Sequence, residues 1–547
     1  MRRETVPWDP GRRRVIIVGG GIAGLATGCY TQMSGLQSHI FEKHVLPGGC
    51  CTAWARDGYL FDYCIEYLNG TLAGNEANQL WRELGALDGK TTRTFEVFNR
   101  VEDHTGRAVN FYTDPDRLES HLLELSPVDA PHIRAFCRYL RRFAKVNINP
   151  LLKPKALMSP REKLQLLRKV LPALGLFWRT AATQMDSFTE RLRDPLLRRA
   201  FPNILLQDHE VFPLLPYLFT LAEADIGNIG FPQGGSLGMA RSIEERYTSL
   251  GGNISYRARV VRILVENDRA VGVELKDGSR HFADHVVSAC DGHITLDGLL
   301  EGRYASQVTQ RLYREVADKP GMVYRGVVSA FVGLSCDVAP DAPHSTTHLL
   351  SPDDARRLPS TAQDSIVVQL RSRYADDFAP EGKSVIHCTY LSDYDYWKKL
   401  RTTDRRAYWA RKREVAAFVR DFLDRRHPGV GEHVEVTDVA TPVTTERYTG
   451  NHRGAILGWM SWAEPDDLLE RLINKERLGL PGLRGFTMAG QWAGGGALIK
   501  VAASGRFAAQ YLCEELGVPF RAWDSPGGEP WHPKKLGHLP QLDNRTA

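Results

Sequence analysis

The sequence predicts an α/β protein in two parts, one built on a doubly wound parallel sheet and the other on a mixed sheet with helices. Three observations predict it. Residues 14–42 read as strand, glycine turn, helix and second strand. Glycine signals then vanish over residues 75–230, return near Phe231, and appear again at residues 483–496. Between those returns, residues 323–334, 365–370 and 384–391 look like strands of a second sheet.

In the opening unit an apolar run at residues 15–18 ends in Gly19, Gly20 and Gly21, and a second apolar segment closes on Glu42 and Lys43. In the spacing Gly19-x-Gly21-x-x-Gly24 each glycine answers a different demand. Gly19 lets the strand turn sharply, Gly21 lets backbone approach a pyrophosphate, and Gly24 lets helix pack closely on strand. The pyrophosphate would sit on the helix N-terminus at Ile22 and Ala23, where free N–H groups and the dipole favour an anion. Glu42, about 20 residues on, is placed to accept hydrogen bonds from a ribose. A Rossmann-like dinucleotide site is the expectation; a glycine-rich turn without a ligand is the alternative.

The 547 residues are enough for two or three domains. A hydrophobic content of 43% and a charged content of 25% are ordinary for a soluble globular chain. The net charge of +5 argues for no polyanionic partner, nucleic acid included. Nine cysteines, scattered apart from Cys50 and Cys51, form no disulfide framework, so a reducing, cytoplasmic compartment is expected. No metal-ligand spacing stands out. The arginines before the first apolar run imitate a leader, but that run is the glycine-loop strand itself. No stretch of about 18 apolar residues spans a membrane.

Residues 1–13 read as a basic arm. After Glu42, Pro47-Gly48-Gly49-Cys50-Cys51 is a glycine turn whose N–H groups could hold a second phosphate, and Asp57-Gly58 is the turn of a hairpin. Both could equally be tight turns between strands. Residues 75–230 are helical and rich in Leu and Arg. Ser159-Pro160-Arg161-Glu162 is a capping box opening a basic amphipathic stripe of Leu164, Leu167, Leu171, Leu174 and Trp178, kinked at Pro172. Such a helix lies in a membrane interface or faces a core, and peripheral membrane contact is carried as an expectation. The apolar run 211–219 suits the wall of a lipophilic cavity or ordinary core.

Short strands at 260–266, 270–275 and 285–289 bring the chain back to its first domain. A helix from about residue 403 to 426 stops before Pro428-Gly429. Residues 483–496 then lead into a small-residue helix, and the Pro- and Gly-rich tail reads as a loose extension. The expected domains are a discontinuous cofactor domain (12–75, 231–300 and 446–518), a substrate domain (76–230 and 301–445) and an extension (519–547).

Several motifs in this order resemble the flavin-dependent phytoene desaturase family of the amine oxidase-like superfamily. Gly48-Gly49-Cys50-Cys51, Glu446-Arg447-Tyr448-Thr449-Gly450-Asn451 and Ala489-Gly490-Gln491-Trp492 look like its branch of retinol saturases and carotenoid isomerases. The resemblance implies FAD as cofactor. It places Gly19, Gly21 and Gly24 on the pyrophosphate, Glu42 on the ribose, and Gly48 and Gly49, with Cys50, in the second turn. It places the Val260 backbone at the adenine, and Gly490, Gln491, Trp492 and Gly496 in the late motif. Many relatives carry Asp where Gln491 stands; an amide still hydrogen-bonds a hydroxyl. The bend 494–496 lacks the proline expected there.

Two side chains are candidates for chemistry. Glu66 is read as an acid in an apolar strand, where burial would raise its pKa toward a useful range; the alternative is a structural carboxylate paired with arginine. Lys500, in the first turn after the late motif, would add positive charge beside a reduced flavin or face solvent. Asp62 is read as a backbone tie. The expected function is hydride transfer between flavin and a carbon–carbon bond of an apolar polyene or isoprenoid substrate, as a desaturase or saturase. Redox-neutral cis/trans isomerisation of a conjugated polyene, amine oxidation, and non-catalytic flavin and lipid binding are the alternatives.

Overall fold

The structure is a computed structural model describing residues 8–146, 151–207, 212–317, 319, 321–338, 342–460 and 478–522. Most of the basic arm (residues 1–7), Val211 and residues 523–547 of the extension lie outside the described residues.

A five-stranded parallel sheet runs in the order Asn253–Ser255, Gln37–Phe41, Arg14–Val18, His285–Ser288 and Phe486–Met488. Val15, Ile16 and Ile17 are fully buried because both faces are covered, the condition that makes a parallel strand continuously apolar. The helix Ile22–Met33 is buried at all twelve positions. Glycines permit that packing. A Cβ on Gly505 of the helix Leu498–Leu516 would lie 2.5 Å from the Ala23 carbonyl oxygen, and one on Gly28 would lie 2.7 Å from the Tyr247 ring of the helix Gly235–Ser249.

The second sheet has seven strands, in the order Val434–Ala440, Val327–Leu334, Ser384–Leu391, Ser365–Leu370, Ser345–Leu349, Val97–Glu102 and Ala108–Tyr112. All neighbours are antiparallel except Ser345–Leu349 with Val97–Glu102. Pleating sends Ile366, Val368 and Leu370 to one face, against Phe418, Val419 and Phe422 of the helix Arg405–Arg426. That helix starts two residues later than expected, where the Asp404 carboxylate accepts the Ala407 N–H at 2.9 Å. The strand expected from residue 323 starts at Val327.

The helical middle section packs its own core, with Phe136, Phe188, Phe201 and Leu218 at its centre. Ser159 and Glu162 make the expected capping box at Pro160–Val170, and Pro172 falls in a single 3₁₀ turn before Leu174–Ala182. The apolar stripe of this segment does not face the core, although Leu176 does. None of Pro160–Val170 is buried, and Leu164, Leu167, Leu171, Leu174 and Trp178 are 48% to 76% exposed. Among the described residues no helix is long and apolar enough to cross a membrane.

Candidate cofactor cradle and substrate cavity

The glycine turns meet where the parallel sheet ends. Gly19 adopts φ +103°, donates its N–H to the Phe41 carbonyl at 2.9 Å, and lies so close to Gly24 that a Cβ there would sit 2.0 Å from the Gly19 oxygen. Gly48, at φ +107°, donates to the Gly20 carbonyl at 2.9 Å, and its own Cβ would fall 2.0 Å from the Cys51 oxygen. Gly21 differs. Its φ is −70°, and an added Cβ would meet no atom closer than 3.9 Å. The fold makes no demand for glycine there, which leaves the approach of a ligand as the reason. Gly21 also caps Ile22–Met33 without a side-chain acceptor for the first N–H groups, so the end of the helix at Ile22 and Ala23 remains an anion site.

The Glu42 carboxylate is buried and accepts the Gly20 N–H at 2.6 Å and the His44 N–H at 2.7 Å. Each oxygen keeps a lone pair for a hydroxyl. The Glu42 backbone is paired with Ser255 and Ala258, which brings the segment leading to Val260 alongside it. Lys43 is accessible, yet its pKa is lowered by burial, and a Cβ on Gly450 would come within 3.0 Å of its Nζ. Asn451 donates to Cys50 Sγ at 3.1 Å, and burial pushes the Cys50 thiol pKa up.

The late motif closes the cradle. Gly490, at φ +101°, donates to Ser504 Oγ at 2.8 Å, and its Cβ would lie 3.7 Å from the Ala23 Cβ, beside the start of the opening helix. The Gln491 carbonyl packs on Gly458, where a Cβ would clash at 2.6 Å. The Trp492 indole is buried against Trp459, His293 and Tyr313, and its carbonyl accepts the Tyr313 hydroxyl at 2.7 Å and the Trp459 N–H at 3.1 Å. Gly496 donates to the Trp459 carbonyl at 3.1 Å. Lys500 occupies the first turn of Leu498–Leu516, where it is accessible while burial lowers its pKa. Glycine loop, acid, uncapped helix start and late turn together fit FAD.

Glu66 is not on a strand. Tyr59–Asp62 ends at Asp62, because that carboxylate turns to accept the Ser236 N–H at 2.6 Å and hydroxyl at 2.7 Å, the backbone tie expected of it. Glu66 follows in irregular chain and lines a cleft of about 50 Å³ between the helical section and the second sheet. Phe95, Phe98, Ile204, Leu205 and Leu206 give it apolar walls. Burial raises the Glu66 pKa, and the Arg371 guanidinium opposes that rise.

Arg371 was not foreseen in the sequence. It is fully buried, donates through Nη1 to the Ile65 carbonyl at 2.6 Å and through Nη2 to His387 Nδ1 at 3.1 Å. His387 must then carry its proton on Nε2 and donate it to Thr389 Oγ1 at 2.8 Å. Burial, reinforced by Arg371, holds this imidazole neutral. The only available signal was a cation directly after a fully buried strand, Ser365–Leu370. No group of three or more metal-ligating side chains occurs among the described residues.

A cradle of this kind, completed from distant stretches of chain and bordered by a second sheet with its own cleft, defines a two-part dinucleotide-binding flavoprotein. The chain belongs to the flavin containing amine oxidoreductase family, whose profile matches residues 22–513. FAD is its cofactor. The chain is 26% identical over 523 residues to prolycopene isomerase 1, chloroplastic, of an Oncidium hybrid cultivar, covering 93% of this chain and 85% of the relative. It is 26% identical over 298 residues to the lycopene-forming phytoene desaturase of a Paracoccus species, covering 52% of this chain and 56% of the relative. Its fold is shared with cyclohexylamine oxidase from Brevibacterium oxydans, at a TM-score of 0.58 and 14% identity over 92% of this chain and all of the other.

Proposed function

We propose that this flavoenzyme exchanges hydride between FAD and a carbon–carbon bond of an extended apolar polyene or isoprenoid substrate. The observation that carries the reading is the cleft between Glu66 and the aromatic and aliphatic walls at Phe95, Phe98 and Leu205. Relatives named for acting on prolycopene and phytoene support it. Residues 12–75, 231–300 and 446–518 form the cofactor domain, and 76–230 with 301–445 the substrate domain. The three-segment parallel sheet and the separate seven-stranded sheet support that division.

Bound FAD supplies two-electron exchange with carbon. The chain's own residues do the rest. Gly19, Gly21, Gly24, Gly48 and Gly49 admit the pyrophosphate, Glu42 orients the ribose, the Val260 backbone borders the adenine, and Gly490 with Gln491 holds the far end. Burial favours the protonated form of the Glu66 carboxyl, the Arg371 charge opposes it, and Arg371 keeps the backbone before Glu66 in place. Lys500, in the first turn after the late motif, would add positive charge beside a reduced flavin. The exposed stripe from Leu164 to Trp178 rests on a membrane surface, from which a lipophilic substrate would arrive.

Redox-neutral isomerisation of a conjugated polyene is the second reading, favoured by the length of the match to a prolycopene isomerase. Relatives named for acting on prolycopene and phytoene support either over amine oxidation. Anaerobic mixing with polyenes while following the oxidised-flavin absorbance separates the readings. Bleaching by substrate supports desaturation, whereas isomerisation only after prior flavin reduction supports the isomerase. Tight binding without either response would reduce the protein to a carrier.

A further inference from the structure

Where it lines the cleft, the seven-stranded sheet presents polar side chains beside Val367. Asn99, Ser345, Thr347 and Gln369 line the cleft from three adjacent strands. Three of them satisfy one another. Asn99 donates to Thr347 Oγ1 at 2.8 Å and to the Ile204 carbonyl at 3.2 Å, and accepts the Ser345 hydroxyl at 3.1 Å. Gln369 is the exception. It lies directly across the ladder from Ser345, is 3% exposed, and its amide oxygen has no hydrogen-bond partner. A buried acceptor left unsatisfied costs free energy that a ligand can recover.

We propose that Gln369 receives a hydroxyl group carried by the otherwise apolar substrate, so that the protein acts on an alcohol of the polyene or isoprenoid class and not on a plain hydrocarbon. A hydroxyl both donates and accepts, so it satisfies an amide in either orientation. Charge excludes an acid. The carboxyls of Asp62 and Glu66 already share the field of the Arg371 guanidinium, so a third carboxylate would add negative charge without a cation of its own.

This inference rests on the polyene reading above, and its test separates the two. The FAD-loaded protein is titrated with polyenes of one chain length ending in methyl, primary alcohol or carboxylate, following quenching of tryptophan fluorescence. The alcohol should bind about tenfold tighter than the methyl compound, as one recovered buried hydrogen bond implies, and the carboxylate more weakly than the alcohol. Gln369→Leu should erase the alcohol's advantage and leave the methyl affinity within about twofold. Equal binding of methyl and alcohol by the unaltered protein overturns the inference while sparing the polyene reading. So does an alcohol advantage that survives in a folded Gln369→Leu protein. Failure of the whole series to bind removes both.

Discussion

Arg371 reaches from the second sheet to the carbonyl of Ile65, 306 residues away in sequence, and holds it at 2.6 Å. The residue after that carbonyl is Glu66. The same guanidinium opposes the burial that raises the pKa values of both Asp62 and Glu66, so one buried cation ties the segment from Asp62 to Glu66 to the seven-stranded sheet electrically as well as sterically.

Arg371→Met should therefore destabilise the protein by about 3–5 kcal/mol, the usual cost of leaving buried partners uncompensated. Arg371→Lys should recover only part of that, since an ammonium cannot serve Ile65 and His387 with one planar fork. Urea unfolding measures both, and a Met variant as stable as the parent would refute the role.

Glu66 predicts a pH dependence. Burial raises its folded pKa above the unfolded value of about 4.3. A carboxyl shifted in that direction stabilises the fold fully below the unfolded pKa, and the contribution is lost as pH rises through the folded pKa. Glu66→Gln removes the titration, so the variant should gain stability relative to the parent between pH 4 and the alkaline side. Parallel unfolding midpoints across that range would count against it. If Glu66 also handles a proton during turnover, the same variant should lose about 10²–10⁴-fold in rate.

The glycines of the cradle should divide into two kinds. Gly24→Ala and Gly48→Ala place a Cβ 2.0 Å from a backbone oxygen and should lower both stability and flavin content. Gly21→Ala meets nothing within 3.9 Å, so its unfolding free energy should stay within about 1 kcal/mol of the parent while the purified protein loses its yellow colour. A flavin-replete Gly21→Ala protein would contradict the placement of the pyrophosphate.

The exposed stripe calls for the opposite pattern. Leu167 and Leu171 are 56% and 61% exposed, so charged replacements should cost less than about 0.5 kcal/mol of stability. Liposome flotation should nevertheless fall sharply in Leu167→Glu/Leu171→Glu. Unchanged flotation would dispose of the membrane contact.

Local signals made much of this legible. The glycine spacing, Asp57-Gly58, the capping box and the strands at 365–370 and 384–391 each rest on neighbours in sequence, and the structure forms them all. The stripe from Leu164 to Trp178 was ambiguous because periodicity marks an apolar face without saying what lies opposite. Arg371, His387 and Gln369 were invisible for a different reason. Their meaning comes from residues on other strands, and nothing about an arginine after Leu370 announces Ile65. Glu66 was noticed for its apolar company but assigned to a strand, since the tie from Asp62 to Ser236 that ends the strand spans 174 residues.

The parallel sheet takes its last strand, Phe486–Met488, from near the far end of the described chain, and that strand leads straight into Gly490. On the ribosome, the cradle consequently stays incomplete until residues 486–490 have emerged, while the seven-stranded sheet, whose last strand in sequence ends at Ala440, can pair earlier. Contacts of such long range are slow to close. Flavin supply during expression should therefore govern the yield of folded protein, because the cofactor captures a site that exists only once the late motif has been made.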